Sequence, residues 1–125
     1  MSRPALTKRG PFRADQLHDG DPYELSNGYP ILCLPTGGRG SAAVRTGAAV
    51  LGSDPLVEAA GVDTGYSPSP ETLRAPDIAI GNVPKEPGWV QGSPLLAVEY
   101  ADTGQDEKDL PVKIRELLDA GTRFV

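Results

Sequence analysis

Leu95-Leu96-Ala97-Val98-Glu99-Tyr100 is a nearly continuous apolar run, of the kind expected of a strand buried on both faces, with one ionisable residue set into it. An ionised Glu99 is costly to bury there without a partner or a metal. Upstream, Asp77-Ile78-Ala79-Ile80 follows Pro76 and reads as a short strand ending before Gly81. Downstream, Leu110, Ile114, Leu117 and Leu118 recur at i, i+4, i+7 and i+8, which predicts a helix with one apolar stripe. Pro111 belongs in its first turn, Asp109 is the natural N-cap, and Gly121 is the natural stop. Thr122 to Val125 begins a last strand. Strand, strand, helix and strand in this order predict an α/β domain, a small mixed sheet flanked by helices.

Working back towards the N-terminus, Tyr23-Glu24-Leu25 and Ile31-Leu32-Cys33-Leu34 flank Ser26-Asn27-Gly28-Tyr29. Asn-Gly between apolar stretches predicts a hairpin, because both residues tolerate the positive φ of a type I′ turn. Pro30 cannot donate to a ladder, which places its strand at a sheet edge or its residue at a strand start. Thr36 to Gly40 reads as a loop. Its glycines lack the Gly-Lys-Ser/Thr ending of a phosphate-binding loop. Ala42 to Leu51 predicts a short helix, weakened by about 1 kcal/mol at Gly47. Val57 to Tyr66 predicts a strand that Ser67-Pro68-Ser69-Pro70 ends, and Pro84 to Ser93 predicts a loop carrying the sole tryptophan, Trp89. Residues 1–13 read as a flexible leader and 14–125 as one domain.

Composition narrows the function classes. A chain of 125 residues suits one modest core. The net charge of −5 excludes a broadly basic nucleic-acid coat, so any contact with DNA has to be local. One cysteine, Cys33, excludes an internal disulfide framework and suits a reducing cytoplasm. No apolar run approaches the roughly 18 residues of a membrane span. The 15 glycines and 13 prolines predict many turns.

The chemistry-bearing residues are Asp77, at the start of one strand, Glu99, inside the next, and Lys113, four residues after Asp109 on the same helical face. Two carboxylates and one lysine are the minimum set for metal-assisted phosphodiester hydrolysis. The acids hold Mg²⁺, and the lysine orients the attacking water or stabilises developing charge.

Arg74-Ala75-Pro76-Asp77-Ile78-Ala79-Ile80, then Leu95 to Glu99, then Lys113 and Ala120-Gly121-Thr122-Arg123-Phe124, resemble the Uma-two family of restriction-endonuclease-like nucleases in the PD-(D/E)XK superfamily. Asp109 and Lys113 stand ten and fourteen residues after Glu99, the family's offsets for its Asp-x-x-x-Lys. Tyr23-Glu24-Leu25 with Gly28 is similar to its Tyr-Glu-x-x-x-Gly hairpin, so the likeness spans most of residues 20–125. It implies a restriction-endonuclease-like fold whose sheet is C-terminally short here. It also implies Asp77 and Glu99 as metal ligands, Lys113 as the catalytic lysine, Glu24 as an auxiliary acid, Mg²⁺ or Mn²⁺ as cofactor, and DNA as substrate. A homodimer is a further expectation by analogy with such nucleases. Ala101 stands where the superfamily usually has its lysine, and a lysine moved to the following helix is consistent with the Uma-two variant. Asp109 fits an N-cap better than a ligand, although an auxiliary role at the site stays open. The alternative to a Mg²⁺-dependent endonuclease is a non-catalytic interaction module or truncated remnant of the same fold.

Overall fold

The computed structural model describes residues 10–101 and 107–125. Of the expected leader, residues 1–9 lie outside the described residues. From Gly10 the chain is engaged: the Phe12 amide donates to Gly28 O, and Phe12 packs on the core.

Among the described residues, eight short strands form two sheets. β1 (Tyr23–Ser26) and β2 (Tyr29–Leu32) are the expected hairpin, closed by Asn27 and Gly28 at φ 51° and 83°. β2 lies at the edge of a five-stranded sheet ordered β2-β1-β5-β4-β7, where Pro30 has no second neighbour to donate to. The others in that sheet are β4 (Tyr66–Ser69), β5 (Thr72–Arg74) and β7 (Val90–Gln91), the last pairing parallel to β4. Leu25 and Leu73 pair across β1 and β5 and form the main core with Ala14 and Leu17. Trp89 closes this core over a short 3-10 turn at Ala14–Gln16, its indole N–H donating to Ala14 O. β3 (Ala60–Val62), β6 (Ile78–Ile80) and β8 (Leu96–Val98) form a second, antiparallel sheet in that spatial order. Phe124 extends it by a single parallel bridge to Leu96, and this bridge is all that forms of the strand expected from Thr122 to Val125.

The α/β class is as the sequence predicts, but the strands divide between two sheets. Val57 to Tyr66 is not one strand: Asp63, at φ 55°, ends β3, and Tyr66 opens β4 in the other sheet. Ser67 to Pro70 does not break structure either. Pro68 sits inside β4 where the β4–β5 register shifts, and the Ser67 hydroxyl spans it by donating to Ser69 O. An irregular pairing of this kind tolerates a missing N–H.

α1 (Gly38–Gly52) starts four residues earlier than Ala42. Position 40 within this first turn requires glycine, since a Cβ there would stand 2.5 Å from Thr36 Oγ1 and 3.2 Å from the Tyr100 ring, and this packing accommodates a residue of low helix propensity. A Cβ at Gly47, seven residues on, would stand 2.9 Å from the Ile78 side chain of β6. These two glycines mark the stripe by which α1 lies on the second sheet.

α2 (Leu110–Asp119) has Pro111 in its first turn. It ends in a Schellman motif, with Gly121 at φ 116°, its N–H donating to Leu118 O and the Thr122 N–H to Leu117 O. Its buried face differs from the expected stripe. Lys113 and Leu117 are buried while Leu118 is 46% exposed, so the helix is turned towards its lysine. The β8 segment is likewise not enclosed on both faces, since Leu95 is 49% exposed. No helix among the described residues is long and apolar enough to cross a membrane.

Candidate active site

The antiparallel registers bring the acids together. β6 and β8 pair Ile78 with Val98 and Ala79 with Ala97, so one residue further Asp77 faces Glu99. β3 and β6 pair Val62 with Ile78, so one residue further Asp63 faces Asp77, and the Asp63 N–H donates to Asp77 O at 3.2 Å. Three carboxylates therefore share one row at one end of the sheet. Directly opposed like charges in a sheet are destabilising without a counter-cation. Asp77 is oriented by the Tyr100 N–H, which donates to its Oδ2 at 2.7 Å.

Lys113 comes to this row from α2. Its Nζ donates to Glu24 Oε2 at 3.1 Å and to Ala75 O at 3.0 Å, and stands 3.0 Å from Glu99 Oε1. Glu24 reaches it because alternation along β1 sends Leu25 into the core and Glu24 to the other face. Burial works against the Lys113 charge, but Glu24 and Glu99 outweigh it and hold the pKa above its ordinary value. The side chain is an ammonium at neutral pH, a donor and not a base. Glu99 is pushed up to about 7 by burial first, with Lys113 opposing and Asp77 and Glu24 adding to the rise. Asp63 is also raised, chiefly by burial, then by Glu24 and Asp77.

A raised carboxyl pKa means that the folded state holds its proton more tightly than the unfolded chain. The Glu99 contribution to stability is thus full below its ordinary 4.5 and is lost as pH rises towards about 7. In EDTA, the wild-type urea midpoint is expected to fall over this window relative to that of Glu99→Gln. Asp63 tilts both profiles alike. Parallel profiles for the two proteins would refute this titration of Glu99.

Behind Lys113 lies a second ionic cluster that the sequence reading missed. Arg74, at the end of β5, is 1% exposed. Its guanidinium donates to both Asp109 oxygens at 2.9 and 3.1 Å and to Glu116 Oε2, and lies 3.5 Å from Glu24 Oε1. Burial alone would lower its pKa, but the bonds to Asp109 and Glu116 hold it above its ordinary value. Glu116 also accepts the Ser26 hydroxyl. Asp109 occupies the N-cap position of α2 but makes no capping bond; its carboxylate is committed to Arg74. Asp109, Lys113 and Glu116 share a helical face at i, i+4 and i+7, so Arg74 grips α2 one turn either side of the lysine.

Asp77, Glu99, Lys113, Glu24 and Asp109 all line one cleft of about 830 Å³. Asp63 lines it too, and the signal for it was an acid directly after the apolar Ala60 to Val62 run. Among the described residues no three His, Cys, Asp or Glu side chains converge as a closed metal cage. Asp77 and Glu99, on facing positions, offer instead the open pair of hard oxygen donors that suits a Mg²⁺ keeping several waters. The excess of carboxylate over cation in the row fits a divalent ion as well.

No family model matches the sequence, and no curated protein matches it. Among solved structures, the crystal structure of a candidate nuclease belonging to DUF820 from Anabaena variabilis is similar to this chain. The TM-score is 0.73 at 21% identity, over 90% of this chain and 71% of that one. The two proteins share a fold.

Proposed function

We propose that this protein is a metal-dependent endonuclease of the Uma-two type, hydrolysing phosphodiester bonds in DNA. The observation that carries the reading is the facing pair Asp77 and Glu99 with a charged Lys113 held 3.0 Å from Glu99 in an open cleft. The similarity to a candidate nuclease of DUF820 supports it, as do the Asp-x-x-x-Lys offsets. Asp77 and Glu99 would hold Mg²⁺ or Mn²⁺. Such an ion polarises a phosphate and lowers the pKa of a bound water. Tyr100 orients Asp77 through its backbone N–H. The Lys113 ammonium would stabilise by its charge the oxygen on which negative charge builds as water attacks phosphorus. Glu24 and Ala75 O accept hydrogen bonds from the lysine and fix its position.

Supercoiled plasmid nicking tests the reading. The wild-type protein is expected to nick with Mg²⁺ or Mn²⁺ and not in EDTA. Asp77→Asn keeps an acceptor for the Tyr100 N–H, and is expected to lower the rate at least about 100-fold. It is also expected to abolish the metal-induced rise in melting temperature, a readout independent of turnover. Metal-independent nicking, or nicking unaffected by Asp77→Asn, would remove the proposal. A protein that gains stability from metal but never cuts would support the non-catalytic module instead.

A further inference from the structure

We propose that Arg45 is a phosphate anchor of the cleft, gripping a backbone phosphate of the nucleic acid away from the bond that is cut; this rests on the nuclease reading above. Gly40 and Gly47 seat α1 on Tyr100 and Ile78, and the adjoining stripe Ser41, Val44, Arg45 and Ala48 (i, i+3, i+4, i+7) lines the cleft. Arg45 therefore faces the same space as Asp63, Asp77 and Glu99, but from the helix rather than the sheet.

Charge balance gives this position its meaning. Among the described residues that line the cleft, seven are carboxylates and only Arg45 and Lys113 are cations. Lys113 is committed to hydrogen bonds with Glu24 and Ala75 O and to an ion pair with Glu99. Arg45 makes no hydrogen bond or ion pair among the described residues, and its side chain is exposed to the cleft's solvent. A polyanion entering a cleft walled by carboxylates needs an uncommitted cation, and the chain's net charge of −5 supplies no general attraction. A guanidinium meets a phosphate with two parallel N–H donors, which fixes register as well as adding affinity. A second phosphate held this way, apart from the one at Asp77 and Glu99, would set which bond is presented to them.

The test is equilibrium binding of a short fluorescein-labelled DNA duplex to the full chain, by anisotropy over a range of salt, with Ca²⁺ present in place of Mg²⁺. Arg45 is exposed on a helix, so Arg45→Ala is expected to fold as the wild type does, which thermal melting checks. Arg45→Ala is expected to weaken binding on the order of tenfold at low salt and to reduce the slope of log K against log salt by about 1. Arg45→Lys is expected to restore the slope but not the full affinity, since the charge returns without the fork. An unchanged slope and affinity in Arg45→Ala, beside a wild type that binds and nicks, overturns the anchor alone. A wild type that neither binds nor nicks overturns both proposals. Arg45-dependent binding without nicking supports the anchor and overturns the catalytic reading.

Discussion

Arg74→Met is expected to cost about 3–5 kcal/mol of folding free energy, the range for removing one partner of a buried ionic network. The guanidinium is 1% exposed and joins Glu24, Asp109 and Glu116, from β1 and from both ends of the α2 face that carries Lys113. Methionine fills similar volume but leaves those carboxylates facing one another without a counter-ion. Against a typical domain stability of about 5–15 kcal/mol, this is a large fraction of the whole. Urea denaturation checks it, with the midpoint falling and the slope m unchanged. Adding Asp109→Asn and Glu116→Gln to Arg74→Met is expected to recover much of the loss, because the penalty comes from uncompensated charge and not from lost volume. A deficit under about 1 kcal/mol in the single variant, or no recovery in the triple, would mean that the network contributes little.

The elements that the sequence announces are those whose signals are local. Asn27-Gly28 closes a hairpin because both residues must take positive φ, and they do. Pro111 and Gly121 bracket α2 because one is tolerated only at a helix start and the other completes a Schellman motif. The misread stretches are those where distant packing overrides local preference. Gly38 to Gly40 looks like a loop until Tyr100 packs on Gly40. Ser67-Pro68-Ser69 looks like a break until β5 and β7 pair on either side of it. The turn of α2 towards Lys113 and away from Leu118 follows from ion pairs made with another part of the chain, which hydrophobic periodicity does not register.

The site divides in the same way. Asp77 stands out as an acid opening a strand after Pro76, Glu99 as an ionisable residue set into an apolar run, and Lys113 by its offset from Glu99. Arg74 stayed hidden because its partners are remote: Asp109 lies 35 residues on and Glu116 lies 42. Glu116 was nonetheless readable as a member of the Asp109–Lys113 face, three residues past the lysine. Asp63 carries a local signal too, as an acid directly after the Ala60 to Val62 run, but only the β3–β6 register sets it opposite Asp77.

Lys113→Met is expected to reduce the cleavage rate about 1,000-fold while leaving DNA affinity close to wild type, because the ammonium is asked to stabilise charge that exists only during reaction. The separation from binding follows from geometry. The lysine is buried, hydrogen-bonded to Glu24 and Ala75 O and ion-paired with Glu99, whereas an incoming backbone first meets the exposed side of the cleft. Folding is expected to suffer less than in Arg74→Met. Glu24 keeps its contact with Arg74, and Glu99, already raised to about 7, moves further up and takes a proton once its cationic neighbour is gone. Lys113→Arg is not expected to rescue cleavage, since three acceptors gathered around a compact ammonium do not suit a planar fork. Single-turnover cleavage and anisotropy on the same preparation check the split. A Lys113→Met protein that cuts within about tenfold of wild type would assign the lysine to holding α2 on β1 and remove it from the chemistry. A parallel loss of binding and cutting would do the same, by showing that the lysine orders the cleft as a whole.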